Sequence, residues 1–174
     1  LPNYFLADLP PEASLAPRMI TEACQTLKHN RERYLLNRST QSLIETLSEA
    51  ATQWLQPHHP LRQMVLTQGP AATGFSESIL MHGLDAFFAQ LTPDNLSALI
   101  AQEFGHVKRL DDIVSSREEI LLQKGSVVRG PEFMVHFAAG NLPIPALMSI
   151  VLGLLVRSAQ FMKCASGTTF LPRI

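Results

Sequence analysis

The hydrophobic positions of this chain change period along its length. Up to about residue 125 they recur every three to four residues; between Phe133 and Ser166 they form short unbroken runs. From Arg18 to about Leu36, Met19, Ile20, Ala23, Cys24 and Leu27 mark one helical face, and Lys28, Arg31, Glu32 and Arg33 mark the polar one. Ser39 or Thr40 can cap a second helix whose stripe is Leu43, Ile44, Leu47, Ala51, Trp54 and Leu55, ended by Pro57-His58-His59-Pro60. A short segment at Met64–Leu66 and a loop over Gln68–Gly74 are expected next. Ser76 caps a helix with Ile79, Leu80, Leu84, Phe87, Phe88 and Leu91 on one side. Thr92-Pro93-Asp94 opens another, lined by Leu96, Leu99, Ile100 and Phe104 and stopped by Gly105. Ser116-Arg117-Glu118-Glu119 is a capping box for a short fifth helix through about Gln123. Residues 1–17, with Pro2, Pro10, Pro11 and Pro17, read as an extended arm.

The C-terminal pattern differs in kind. Phe133–Ala138 and Ala159–Met162 are short apolar runs that fit strands buried on both faces. Ala146–Val156 between them fits a buried helix. It is preceded by Asn141, which can cap it, and by Pro143 and Pro145, which suit a first helical turn. Strand, Gly-Asn turn, helix and strand make one βαβ unit. In open α/β folds the strand-to-helix turn lies at the carboxyl edge of the sheet, where ligands bind. Gly140 and Asn141 should therefore share a crevice with Lys163, at the end of the second strand. The expected fold class is α/β: a helical region over residues 1–125, then the start of a Rossmann-like parallel sheet over 126–174. A single βαβ unit does not complete a sheet covered on both faces, so the expectation is the N-terminal part of a longer enzyme.

The motif AGNLP, followed about 20 residues later by FMKCAS, resembles the acyl-CoA reductases of the aldehyde dehydrogenase superfamily, nearest to the long-chain fatty-acid reductases of bacterial bioluminescence. The specific match covers roughly residues 130–174. The resemblance implies an aldehyde-dehydrogenase-like fold and reduction of an acyl-CoA to a fatty aldehyde through a cysteine thioester. It implies that Asn141 donates its amide to the developing oxyanion. Lys163 would bind the adenosine ribose or its 2′-phosphate, and Gly140 would let backbone and cofactor approach. Ser166 stands where many NAD-preferring members carry Glu, which points to NADPH rather than NADH. The family's nucleophile lies far downstream, and neither Cys24 nor Cys164 matches it, so these 174 residues alone should be inactive.

Composition narrows the alternatives. Charged residues make up 17% of the chain and hydrophobic ones 46%, a balance that suits a deeply buried core or a piece that self-associates or packs on the rest of its polypeptide. A net charge of −1 gives no footprint for nucleic acid. Leu142–Val156 is too short and too rich in Pro and Gly for a bilayer span of about 20 residues. Two distant cysteines and no secretory pattern point to a reduced, cytoplasmic setting. His58-His59 lacks partners for a metal site, and none is expected. His136 reads as a hydrogen-bonded core histidine, and Asp111-Asp112 and Glu118-Glu119 as exposed charge. The rival reading is a non-catalytic helical module that docks through its apolar C-terminal segment; a weaker one is a peripheral membrane piece.

Overall fold

The computed structural model describes residues 14–139, 144–165 and 169–174. Five helices come first: α1 (Pro17–Tyr34), α2 (Thr40–Leu55), α3 (Pro60–Thr73), α4 (Glu77–Phe88) and α5 (Pro93–Phe104). A 3-10 turn (Val107–Leu110) and the short α6 (Arg117–Leu121) follow, then β1 (Phe133–Phe137), α7 (Pro145–Leu155), β2 (Ala159–Lys163) and α8 (Phe170–Arg173). The arm expected over residues 1–17 lies mostly outside the described residues. The architecture is mostly helical, with one small parallel sheet.

Local signals set most helix starts. Ser39, Ser76 and Thr92 each accept a hydrogen bond from the backbone N–H three residues on, at 3.2–3.3 Å. Each such cap contributes about 1 kcal/mol by satisfying a donor the helix leaves free. The Ser116 capping box forms in both directions. Gly74 and Gly105 end α3 and α5 in the left-handed conformation, at φ 77° and 78°.

Two expectations about these helices fail. Met64–Leu66 is not a short segment before a loop; α3 runs through Gly69 and Pro70. Pro60 supplies the first position, and the missing N–H of Pro70 falls in the last turn, where one lost bond is tolerable. Gly69 is buried there because a Cβ would sit 2.6 Å from Leu80 Cδ1. Packing against α4 and α8 outweighs the local breaker signal. Second, Asn141 is not the N-cap of α7: Pro145 starts the helix, which puts Ile144 in that position.

The core is continuous from the helices into the βαβ unit. Leu43, Ile44 and Ala51 of α2 join Leu84, Phe87 and Phe88 of α4 and Leu96 and Ile100 of α5, and the same cluster takes in Val151 and Leu155 of α7. Trp54 stacks on Phe88 with ring centroids 5.0 Å apart. Helix α2 therefore touches α3, α4, α5 and α7, and α1 packs against β2.

β1 and β2 pair in parallel, Phe133 with Ala159 through Phe137 with Lys163. Alternation puts Met134, His136, Gln160 and Met162 on one face. That face looks toward α7, since the Gln160 amide bonds the Ile150 carbonyl at 3.0 Å. The expectation of strands buried on both faces does not hold for β1. Val135 is 53% and Phe137 80% exposed, because among the described residues no further strand pairs with β1 and nothing covers its other face.

Arg157 fastens the sheet to the helices. It follows α7 in the left-handed region at φ 57°, an uncommon conformation for a side-chain-bearing residue that costs about 1 kcal/mol. Its side chain is buried and each of its three nitrogens is bonded: Nε to Arg38 O at 2.7 Å, one terminal nitrogen to Leu110 O at 3.0 Å, the other to Thr40 Oγ1 and to the Asp111 carboxylate. Asp111 also accepts from the Thr40 N–H and hydroxyl. Asp111 is thus an ion-pair partner, not the exposed charge expected from its adjacency to Asp112. Glu119 departs in the same way: it accepts from Arg109 and from the Ser116 N–H. That backbone bond is the largest influence on its pKa; burial pushes the other way, and the Arg109 charge adds to the lowering, so the value lies below the ordinary 4.5.

Three outcomes follow. Arg157→Ala leaves Asp111 without its counter-charge and should lower stability by about 3 kcal/mol or more; an unshifted urea midpoint would contradict the clasp. Gly130→Ala places a Cβ 2.1 Å from the Val156 carbonyl oxygen, a backbone clash that should cost about 1–3 kcal/mol and lower Tm. Because the folded-state pKa of Glu119 is depressed, its stabilising share is complete above about pH 4.5 and is lost as pH falls through the folded value. Hydrogen exchange of the α6 amides should accelerate over that acidic window in the wild type, and Glu119→Gln should flatten the dependence.

Candidate functional site

The parallel register fixes what meets at the carboxyl edge of the sheet. Phe137 is opposite Lys163, and the Ala138 N–H donates to the Lys163 carbonyl at 3.0 Å. The chain leaving β1 and the end of β2 therefore lie side by side. Gly140, Asn141 and Ser166 fall outside the described residues, so of the four residues singled out from sequence only Lys163 has a described position. Its side chain is exposed, and its ammonium group makes no hydrogen bond or ion pair among the described residues. A free cation at a strand end is able to take an anionic or hydroxyl-bearing ligand.

On the α7 side of this edge is a cleft of about 280 Å³. The end of β1 (Val135–Ala139), Met162 and the first turn of α7 (Pro145, Ala146, Ser149) line it. Small side chains at Ala138, Ala139 and Ala146 keep it open. Among the described residues α7 has no side-chain cap at its start; Pro145 there has no N–H, and the Leu147 N–H donates to the Ile144 carbonyl at 2.9 Å.

His136 contributes the one ionisable side chain to this lining. Its Nε2 lies 3.0 Å from Gln160 Oε1. Gln160 Nε2 must be the end facing the Ile150 carbonyl, because a carbonyl only accepts. Its oxygen therefore faces the ring, and the network assigns the ring proton to His136 Nε2. The histidine is hydrogen-bonded, as expected, but it is half-buried at a cleft and not the core histidine its sequence suggested. Gly153 makes room for the amide; a Cβ there would lie 2.2 Å from Gln160 Oε1. Sequence reasoning gave Gln160 no role. The bond is local to the fold but 24 residues apart in the chain, and no spacing rule exposes it.

The cysteines are both free and half-buried. Burial raises the pKa of Cys164, and the neighbouring Lys163 charge opposes that only in part, so the reactive thiolate is disfavoured there. His59 packs against Trp54, with ring centroids 5.6 Å apart. Among the described residues no group of three or more His, Cys, Asp or Glu side chains could hold a metal ion, and no helix is long and apolar enough to cross a membrane.

No curated protein matches the chain. The family model for acyl-CoA reductase (LuxC), by contrast, matches residues 35–174, from the end of α1 through both strands and their edge. Four-fifths of the sequence thus carries the pattern of one enzyme family, and the chain belongs to the acyl-CoA reductase (LuxC) family.

Proposed function

We propose that these residues form the N-terminal part of an NADPH-dependent enzyme that reduces an acyl-CoA to a fatty aldehyde through a cysteine thioester, in an aldehyde-dehydrogenase-like fold. The observation that carries this reading is the parallel pairing of β1 with β2. It sets the unpartnered Lys163 beside the strand exit that leads to Gly140 and Asn141. The open outer edge of β1, with Val135 and Phe137 exposed, fits a sheet that continues with further strands.

The residues present suit a dinucleotide at this edge. Lys163 offers an exposed ammonium, unpaired among the described residues, for a ribose or phosphate, and Ala138 and Ala139 carry little bulk at the strand exit. Lys163 and Ser166 would hold the adenosine side, with Ser166 leaving room for a 2′-phosphate that a carboxylate would repel. NADPH supplies the hydride. Gly140 would let the backbone come close, and the Asn141 amide would donate to the oxygen that gains charge as the acyl carbon is attacked. A donor fixed in advance at that oxygen is worth about 3–4 kcal/mol in the transition state. The nucleophile is placed outside these residues. Cys164 is disfavoured as a thiolate, and Cys24 is half-buried in α1. Residues 1–174 alone should accordingly bind part of the cofactor and turn nothing over.

The test is acyl-CoA-dependent NADPH oxidation by the full-length enzyme. Asn141→Ala should lower kcat about 100- to 1,000-fold while the Kd for NADPH stays unchanged; undiminished turnover would reject the oxyanion role. Ser166→Glu should weaken NADPH relative to NADH by introducing a like charge beside the 2′-phosphate, and an unaltered ratio of the two kcat/KM values would remove Ser166 from the cofactor site.

A further inference from the structure

Acylation of the enzyme by a CoA thioester requires a proton to move. The attacking thiol must lose one, and the departing CoA thiolate must gain one. The cleft beside the carboxyl edge is lined by nine residues, and only His136 among them ionises. Its surroundings isolate it. Helix α7, packed over this face, carries no ionisable side chain. On β2 the one charged residue is Lys163, which alternation directs to the opposite face. Beyond it lies Cys164, whose thiol burial keeps protonated.

The ring is also held in one state of use. Gln160, itself fixed by the Ile150 carbonyl, accepts from Nε2. That leaves the lone pair on Nδ1, and Nδ1 has no partner among the described residues. An imidazole with one nitrogen tied to an orienting amide and the other without a partner among the described residues, on a residue that lines a cleft, has the arrangement of a general base.

We infer that His136, oriented by Gln160, is the proton carrier of the acylation step. Nδ1 takes the proton of the attacking cysteine thiol. The new bond from the enzyme sulfur to the acyl carbon forms as the bond from that carbon to the CoA sulfur breaks. The CoA thiolate then takes the proton back from Nδ1 and leaves as the thiol. No electrons are exchanged in this step, and the histidine ends as it began. Gln160 is a positioning residue: it acts only through the ring. The inference rests on the proposed reductase reading, and acylation can be measured without the reductive half.

The experiment uses the full-length enzyme with no NADPH present and a panel of saturated medium- and long-chain acyl-CoA thioesters. CoA thiol release is followed in the first turnover as a function of pH. His136→Gln should slow release about 100-fold or more and abolish the acidic limb of the profile. Gln160→Glu keeps the ring and sets a carboxylate against Nε2, so the acidic midpoint should move up by about one unit. Release by His136→Gln at the wild-type rate and with the wild-type profile, while the wild type completes reduction when NADPH is added, would overturn the role of His136 and leave the reductase reading standing. If His136→Gln does not fold, an unmoved midpoint in Gln160→Glu overturns the inference. A wild type that shows neither CoA release nor acyl-CoA-dependent NADPH oxidation removes both.

Discussion

One buried guanidinium holds the sheet against the helices. Arg157 sits between α7 and β2, and its donors reach the loop before α2, the first residue of α2 and the end of the 3-10 turn. Taking that charge out of water costs several kcal/mol, which only a full set of partners offsets. Four of its five donors are used here, on three backbone or hydroxyl oxygens and the Asp111 carboxylate. The consequence is geometric. β2 starts two residues after Arg157, so its amino end is tied to the helical body, and the parallel register then carries that placement along to Phe137 and Lys163. By comparison, the Lys28–Glu132 pair at 2.8 Å has both side chains about half exposed, so solvent screens it and it holds the sheet far less firmly.

The two ends of the sheet are therefore built differently. The amino end is closed by Arg157, by the Ser158 hydroxyl donating to the Pro131 carbonyl at 2.7 Å and by the close passage of Gly130 under Val156. Among the described residues the carboxyl end carries small residues, a helix start with no side-chain cap and a lysine with no partner. With one end fixed, polar groups unpaired among the described residues gather at the other, where a ligand can use them. The same logic applies to His136. Its Nε2 is committed to Gln160, its Nδ1 has no partner among the described residues, and the residue lines the cleft.

Much of the fold was legible because its signals are local. Ser39, Ser76, Thr92 and Ser116 mark helix starts within four residues of sequence, and the apolar runs around residues 133–162 already contain the order strand, helix, strand. The signals that misled are those that distant packing overrides. Gly69-Pro70 reads as a loop until Leu80 is seen to press on Gly69. Asp111 reads as solvated until Arg157, 46 residues later, is brought to it. β1 reads as buried because its composition is apolar, yet Val135 and Phe137 face outward. For the candidate site, the motif singled out Gly140, Asn141, Lys163 and Ser166, of which only Lys163 is among the described residues, whereas the pairing of Gln160 with His136 depends on strand register and had no counterpart in sequence spacing.

The central claim is that the carboxyl edge of the β1–β2 pair is where the cofactor docks. Hydrogen–deuterium exchange of the full-length enzyme with and without NADPH tests it most directly. Slower exchange confined mainly to the amides leaving β1, from Ala138 to Asn141, and to those following Lys163 is the result this account predicts. Protection elsewhere in the chain with both of these segments unaffected would contradict it.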